Sequence, residues 1–241
     1  MADHDRRLVD LYDEDNPAGP DHEFYRGLAD TINATSVIDL GCGTGNLTVT
    51  LARPGRSVVG VDPSRTMLDR ASRRDHADRV EWLHGDSRDV RARSADLALM
   101  TGNVPQHIDD HAWARTLRDL RRSLRPGGVL AFESRNPAAR AWADWSSPQP
   151  SERQTVHGPL LEWATVEEAA PGVVQVAFHN RFTDTGDVVV QHETLHFRSR
   201  EAIEGELDRA GFDVEAVYGD WQRGPSADSS AVMIFVASAV R

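Results

Sequence analysis

One cysteine in 241 residues leaves no partner for a disulfide and no cysteine cluster for a metal. That residue, Cys42, sits in a glycine-rich turn and reads as a small buried filler rather than a nucleophile. Basic residues are in deficit: 27 Lys and Arg face 38 Asp and Glu, a net charge of −11. This argues against a nucleic-acid groove, which needs clustered cations. The pairs Arg73-Arg74 and Arg121-Arg122 lie in helical patterns and read as solvated faces. Long apolar runs are missing too. The longest, Ala231 to Val240, falls short of the ~20 residues that span a bilayer. Met1 to Arg7 is charged and holds no apolar stretch, so no signal peptide, no membrane partner and a cytoplasmic location are expected. A hydrophobic content of 39% and a charged content of 27% otherwise describe an ordinary globule, long enough for one α/β domain with a decoration.

What is present is organised around Val37-Ile38-Asp39-Leu40-Gly41-Cys42-Gly43-Thr44-Gly45-Asn46-Leu47-Thr48. An apolar run ending in an acid meets three glycines at alternate positions, then a short helical stretch to Ala52. The pattern is a buried parallel strand, a tight turn and a helix start. Such a turn lies at the carboxyl ends of the strands, where open α/β sheets bind ligands. The dinucleotide pattern Gly-x-Gly-x-x-Gly fails, because Asn46 or Thr48 stands where the third glycine belongs. The phosphate loop fails for want of a lysine. Asp39 repels a pyrophosphate and attracts a cation. S-adenosylmethionine carries a sulfonium and an ammonium and no phosphate.

Asp39-x-Gly41-x-Gly43-x-Gly45 resembles the first motif of class I S-adenosylmethionine-dependent methyltransferases, and later segments fit in order and spacing. The resemblance covers residues 37 to about 134 by motif and the remainder by architecture. It implies a Rossmann-like, seven-stranded, mostly parallel sheet with an antiparallel last strand and helices on both faces. It implies S-adenosyl-L-methionine as cofactor, held in part by Asp39, Gly41, Cys42 and Gly43. Asp62 ends the next strand (57–61) and follows Gly45 by 17 residues, near the spacing of a ribose-binding acid. Pro63 and Ser64 then start a helix that carries Met67 toward the adenine. After a strand at 80–84, Gly85-Asp86-Ser87 stands where the family reads the adenine amino group. After the strand 95–100, Thr101-Gly102-Asn103 reaches the methionine end. Asn103-Val104-Pro105-Gln106 departs from the Asn/Asp-Pro-Pro-Tyr/Phe of the family's nitrogen-methylating branch for DNA and some protein substrates, so that branch is not supported.

Residues 1–20 read as an N-terminal arm. A helix from Asp21 to about Asn33 is expected to fold over the cofactor as in family members, bringing Tyr25, with Tyr12, toward the methionine end. The core comprises 21–150 and 198–241, with a helix at 109–124, a fifth strand at 129–133 and a further helix bearing Trp142 and Trp145. A Ser-Pro-Gln-Pro-Ser linker (147–151) precedes a three-stranded antiparallel insertion, 151–197, expected to act as a lid. A helix at 199–210 and a final hairpin, 212–218 and 231–236, complete the chain.

His192-Glu193-Thr194-Leu195-His196 matches the zinc-protease pattern, which requires a helix. Alternating apolar residues make it a strand instead, placing the two histidines ~13 Å apart, too far to share one ion. No metal is expected. The function read from the residues is methyl transfer to an oxygen or nitrogen of a small molecule, by in-line displacement. His107 and Glu133 are the candidate bases, and Arg135, Trp221 and Arg223 the candidate acceptor-binding residues. A non-catalytic cofactor-binding module, a nicotinamide oxidoreductase and a zinc protease are the alternatives. The oligomeric state is not legible.

Overall fold

The computed structural model describes residues 3–240. Ser36–Leu40 is buried at every position and forms β1, a central strand, as a continuous apolar run between two helical layers must. β2 (Ser57–Asp62) and β3 (Val80–His84) lie on one side, all parallel. β4 (Ala95–Met100) and β5 (Leu124–Arg135) lie on the other, also parallel. Four strands leave the core after β5 and make their own antiparallel sheet: β6 (Ser147–Thr155), β7 (Gly158–Ala170), β8 (Val173–Phe182) and β9 (Val188–His196). β10 (Phe212–Tyr218) and β11 (Val232–Ala239) return to the first sheet, whose order is β10-β11-β5-β4-β1-β2-β3. β11 is antiparallel to both neighbours, so β10 runs parallel to β5.

Six α-helices are described: α1 (Arg6–Asp15), α2 (Pro20–Thr31), α3 (Thr48–Leu51), α4 (Arg65–Ala71), α5 (Asp110–Ser123) and α6 (Arg200–Ala210). Side chains of Asp5, Ser64, Asp109 and Ser199 accept first-turn N–H bonds and start α1, α4, α5 and α6. One face of the large sheet packs Trp113, Leu117 and Leu120 of α5 and Ile203 and Leu207 of α6. The opposite face packs Phe24, Tyr25 and Leu28 of α2 and Leu51 of α3. The sheet is therefore covered on both sides, with its carboxyl edge left for ligands.

Three expectations are corrected. The arm at 1–20 contains a helix, α1, because Leu11 has a partner the sequence could not display: Leu160 and Phe182 of the second sheet. The linker 147–151 is part of β6, which makes the second sheet four-stranded; β6 is an edge strand, where proline is tolerated. The helix expected around Trp142 is two short 3-10 turns, Pro137–Ala139 and Ala141–Asp144, with Trp142 packed on Phe197. The stretch 188–196 is extended, as its alternation predicts.

Candidate active site

The turn after β1 is built by close contacts. Gly41 and Cys42 donate their N–H groups to the Val61 carbonyl of β2, at 2.7 and 3.1 Å. Gly45, at φ +75°, lies under the Trp82 indole, where a Cβ would stand 2.6 Å from the ring. Gly43, at φ +54°, is the opposite case: a Cβ there would meet nothing within 4 Å, so its surface is open to a ligand. Cys42 is buried, and that burial pushes its thiol well above the usual range, with Asp39 and Asp62 adding to the effect. It is filler, not nucleophile.

Two acids stand beside this turn. Asp39 is 1% exposed; its Oδ2 accepts from Thr48 Oγ1 at 2.6 Å, while Oδ1 has no protein partner. Burial raises its pKa to about 6 against the Thr48 hydrogen bond, and the charge of Asp62 adds to the rise. Asp62 accepts from the N–H groups of Gly43 and Ser64, both at 2.8 Å, and burial raises its pKa as well. Both oxygens of Asp62 keep lone pairs for further donors. Met67 is buried in the first turn of α4, beside exposed Pro63.

The third segment divides. Asp86 is half-buried and held by Arg88 at 2.7 Å, which lowers its pKa. A Cβ on Gly85 would collide with Asp89. The hydroxyl of Ser87 points the other way, donating to Asp119 of α5 at 2.9 Å. Its side chain thus packs the core rather than facing a ligand.

At the switch point, Thr101 is half-buried, Gly102 exposed, and Asn103 left-handed at φ +61°. The Asn103 N–H donates to Glu133 Oε1 at 2.7 Å, and the Tyr25 hydroxyl donates to Glu133 Oε2. Glu133 is 3% exposed, and burial pushes its pKa to about 7. Each oxygen accepts one bond, so Glu133 ties Tyr25 of α2 and the switch-point loop to β5. Arg135, two residues further, hydrogen-bonds Gln106 Oε1 at 3.1 Å and stacks over Trp145 at 5.0 Å. Among the described residues no carboxylate lies within ion-pair distance of it. Burial lowers its pKa. Gln106 is fully buried, and its Nε2 has no partner. His107 closes this turn with Nδ1 3.5 Å from Glu193 Oε2 of β9.

Trp221 and Arg223 are engaged elsewhere. Trp221 is half-buried and meets Phe24 and Tyr25 edge-on at 5.8 and 5.9 Å, packed against the core cluster that includes α2. Arg223 is exposed and lies over Phe24 and Tyr218. These contacts match packing, not the expected acceptor pocket.

Several contributors escaped sequence reasoning. Asp13 of α1 accepts from Thr44 Oγ1 at 2.6 Å and pairs with Arg74, whose Nε donates to the Thr44 carbonyl. Asp3 accepts from Thr66 N–H at 3.0 Å and from the Ser64 hydroxyl. Burial works against the Asp3 carboxylate, but its hydrogen bonds hold the pKa down at about 2. Asp3 and α1 therefore lie across the glycine turn and the start of α4. The only signal was an acid-rich N-terminus.

Residues 37–128 match the family model described as a methyltransferase domain. Over these residues the chain is similar to class I S-adenosylmethionine-dependent methyltransferases. Among curated relatives, the trans-aconitate 2-methyltransferase of Azoarcus sp. (strain BH72) is 45% identical over 104 residues, 42% of this chain and 39% of that protein. The trans-aconitate 2-methyltransferase of Deinococcus radiodurans is 32% identical over 155 residues, 63% of this chain and 58% of that protein. The chain thus spans less than two thirds of either relative. The CcbJ methyltransferase from Streptomyces caelestis shares the fold with a TM-score of 0.80 at 20% identity, covering 99% of this chain and 100% of that one.

The residues fit the family's cofactor. The orphaned Oδ1 of Asp39 is a buried acceptor awaiting a donor, as an ammonium group would supply. Asp62 has the lone pairs for ribose hydroxyls, and Gly43 leaves room for close approach. Two acids raised by mutual burial suit a cationic ligand and would reject a pyrophosphate.

Proposed function

We propose that this chain is an enzyme transferring a methyl group from S-adenosylmethionine to an oxygen or nitrogen of a small molecule. The observation that carries the reading is the buried, half-satisfied Asp39 beside Asp62 at an open glycine turn. When bound, the cofactor supplies an electrophilic methyl group on sulfur. The chain's own part is placement: Asp39, Asp62 and the glycine turn hold the donor, and the acceptor is read to bind beside the switch-point loop.

The four-stranded sheet is read as a lid over that loop. Its β9 presents Glu193 to His107 and Gln191 to His4, where Gln191 Nε2 lies 3.2 Å from the His4 ring. By register Phe178 shares this face, since it pairs directly with Gln191, and it is left 37% exposed. Arg135, with free donors and no acid partner, supports recognition of a polar or anionic group on the acceptor. Trans-aconitate in the two relatives is consistent with a small acceptor.

Calorimetry with S-adenosylmethionine, S-adenosylhomocysteine and NAD tests the reading. The sulfur ligands are expected to bind and NAD not to bind. Asp62→Ala is expected to weaken S-adenosylhomocysteine by roughly 1–3 kcal/mol, the cost of unpaired donors. Tight NAD binding, or full affinity in Asp62→Ala, rejects the assignment. A methylation screen over metabolites separates an enzyme from a cofactor-binding module.

A further inference from the structure

We propose that Glu193, carried by the second sheet, is a positioning residue that orients His107 as the proton acceptor of the site. The inference rests on the methyltransferase reading and assigns a proton path within it. His107 stands at the end of the turn Val104–His107 that follows β4, at the ligand edge of the large sheet. Glu193 comes from a different sheet, 86 residues later, and meets it at 3.5 Å. The facing atom is Nδ1, so the carboxylate favours the tautomer with its proton there. Among the described residues Nε2 has no protein partner, and the side chain is 47% exposed. A neutral ring fixed this way offers a free lone pair at Nε2. The distance is long for a hydrogen bond, as acid–base pairs often are before the ligands are in place.

Glu193 is not spoken for elsewhere. Its neighbours on the same face of β9 are Gln191, facing His4, and Leu195, packed on the Trp142 cluster. The charges that act on His107 are those of Glu193 from β9, Arg135 from β5, His4 from the N-terminus and Asp62 from β2. Shielding by the surrounding chain lowers its pKa; Glu193 and Asp62 oppose that, while Arg135 and His4 reinforce it. A ring that stays neutral near physiological pH is ready to receive a proton.

The step is simple to balance. The acceptor's O–H or N–H bond breaks, its electron pair stays on the heteroatom that takes the methyl group, and the proton moves to Nε2. Solvent removes it afterwards. No oxidant or reductant is involved. The device suits acceptors that still carry a proton, alcohols, phenols or ammonium groups, and is idle for a carboxylate, which arrives ionised. It also makes the second sheet part of the chemistry: His107 is oriented only while β9 is in place.

Long-range proton–nitrogen correlation spectra of histidine-labelled protein, loaded with S-adenosylhomocysteine, test this directly. His107→Gln assigns the resonance. The wild-type ring is expected neutral at pH 8 with its proton on Nδ1. Glu193→Gln is expected to lower the His107 pKa by about half a unit or more, the loss of a nearby anion. Glu193→Ala is expected to move the proton to Nε2. S-adenosylhomocysteine affinity should stay within a few-fold in both variants. A wild-type ring protonated on Nε2, or a His107 pKa indifferent to Glu193→Gln, overturns the proposal. Failure of the wild-type protein to bind S-adenosylhomocysteine would instead overturn the methyltransferase reading, which the ring measurement on unloaded protein leaves distinguishable.

Discussion

A carboxylate with one satisfied oxygen carries much of the functional argument. Asp39 lies next to the end of a strand whose every residue is buried, so its charge has no water to stabilise it. Burial raises its pKa to about 6 despite the Thr48 hydrogen bond. Below that value the group is neutral and offers a cation little; above it the anion is ready for an ammonium. Cofactor binding is therefore expected to strengthen as pH rises. Between pH 5 and pH 7 the ionised fraction grows by about tenfold, and S-adenosylhomocysteine affinity should follow. Asp39→Asn should bind weakly at both values and lose the slope. Calorimetry at the two pH values decides it, and an equal slope in the variant would assign the dependence to another group. Glu133 shows the other fate of a buried acid. Its oxygens accept from Tyr25 and Asn103, so it braces the switch-point loop that carries the half-exposed His107.

At the scale of elements, α1 matters more than its charged sequence implies. Asp13 ties it to Thr44 and Arg74 of the core. Asp15 pairs with Arg153 of β6 at 2.8 Å, Asp10 meets His157 at 3.1 Å, and Arg7 reaches Asp187 at 2.8 Å, all in the second sheet. Leu11 adds a buried apolar anchor against Leu160 and Phe182. One helix thus bridges the glycine turn and the second sheet. Arg74→Met removes a cation that is only partly exposed, so α1 should open more often. Amide exchange over residues 6–15 is expected to quicken roughly fivefold or more, near 1 kcal/mol of local stability. Exchange in α5 should be unchanged. Equal protection of α1 in the variant would mean that Leu11 and the second-sheet contacts hold it unaided.

Over the whole molecule, buried and exposed acids pull stability in opposite directions with pH. Glu133, raised to about 7, keeps a proton in the folded state that the unfolded chain releases near its ordinary value. Its stabilising share is complete at low pH and is lost as pH rises through about 7, a change of roughly 2–4 kcal/mol. Asp3 and Asp96, held near 2 by hydrogen bonds that outweigh burial, behave in reverse and lose their share in strong acid. Urea titrations at pH 5 and pH 8 should find the wild-type protein more stable at pH 5. Glu133→Gln should narrow that gap, and an unchanged gap would remove Glu133 as its source. Tertiary structure creates this behaviour, for Glu133 in sequence is one acid at the end of an apolar run. The sequence by itself determined the parallel core, because hydrophobic runs, caps and glycines act over a few residues. It determined Asp39, Asp62 and the glycine turn for the same reason: all lie within one strand–turn–helix unit and its neighbour. It also determined that 188–196 is a strand, from alternation alone. It did not determine that residues 6–15 are a helix, that 147–151 pair as an edge strand, or that Trp221 packs half-buried against α2. Each depends on a partner far along the chain. The meeting of Tyr25 with Glu133, of Asp13 with Thr44 and of His107 with Glu193 was decided only by folding, since hydrogen bonds and ion pairs between distant segments leave no periodic trace in either segment.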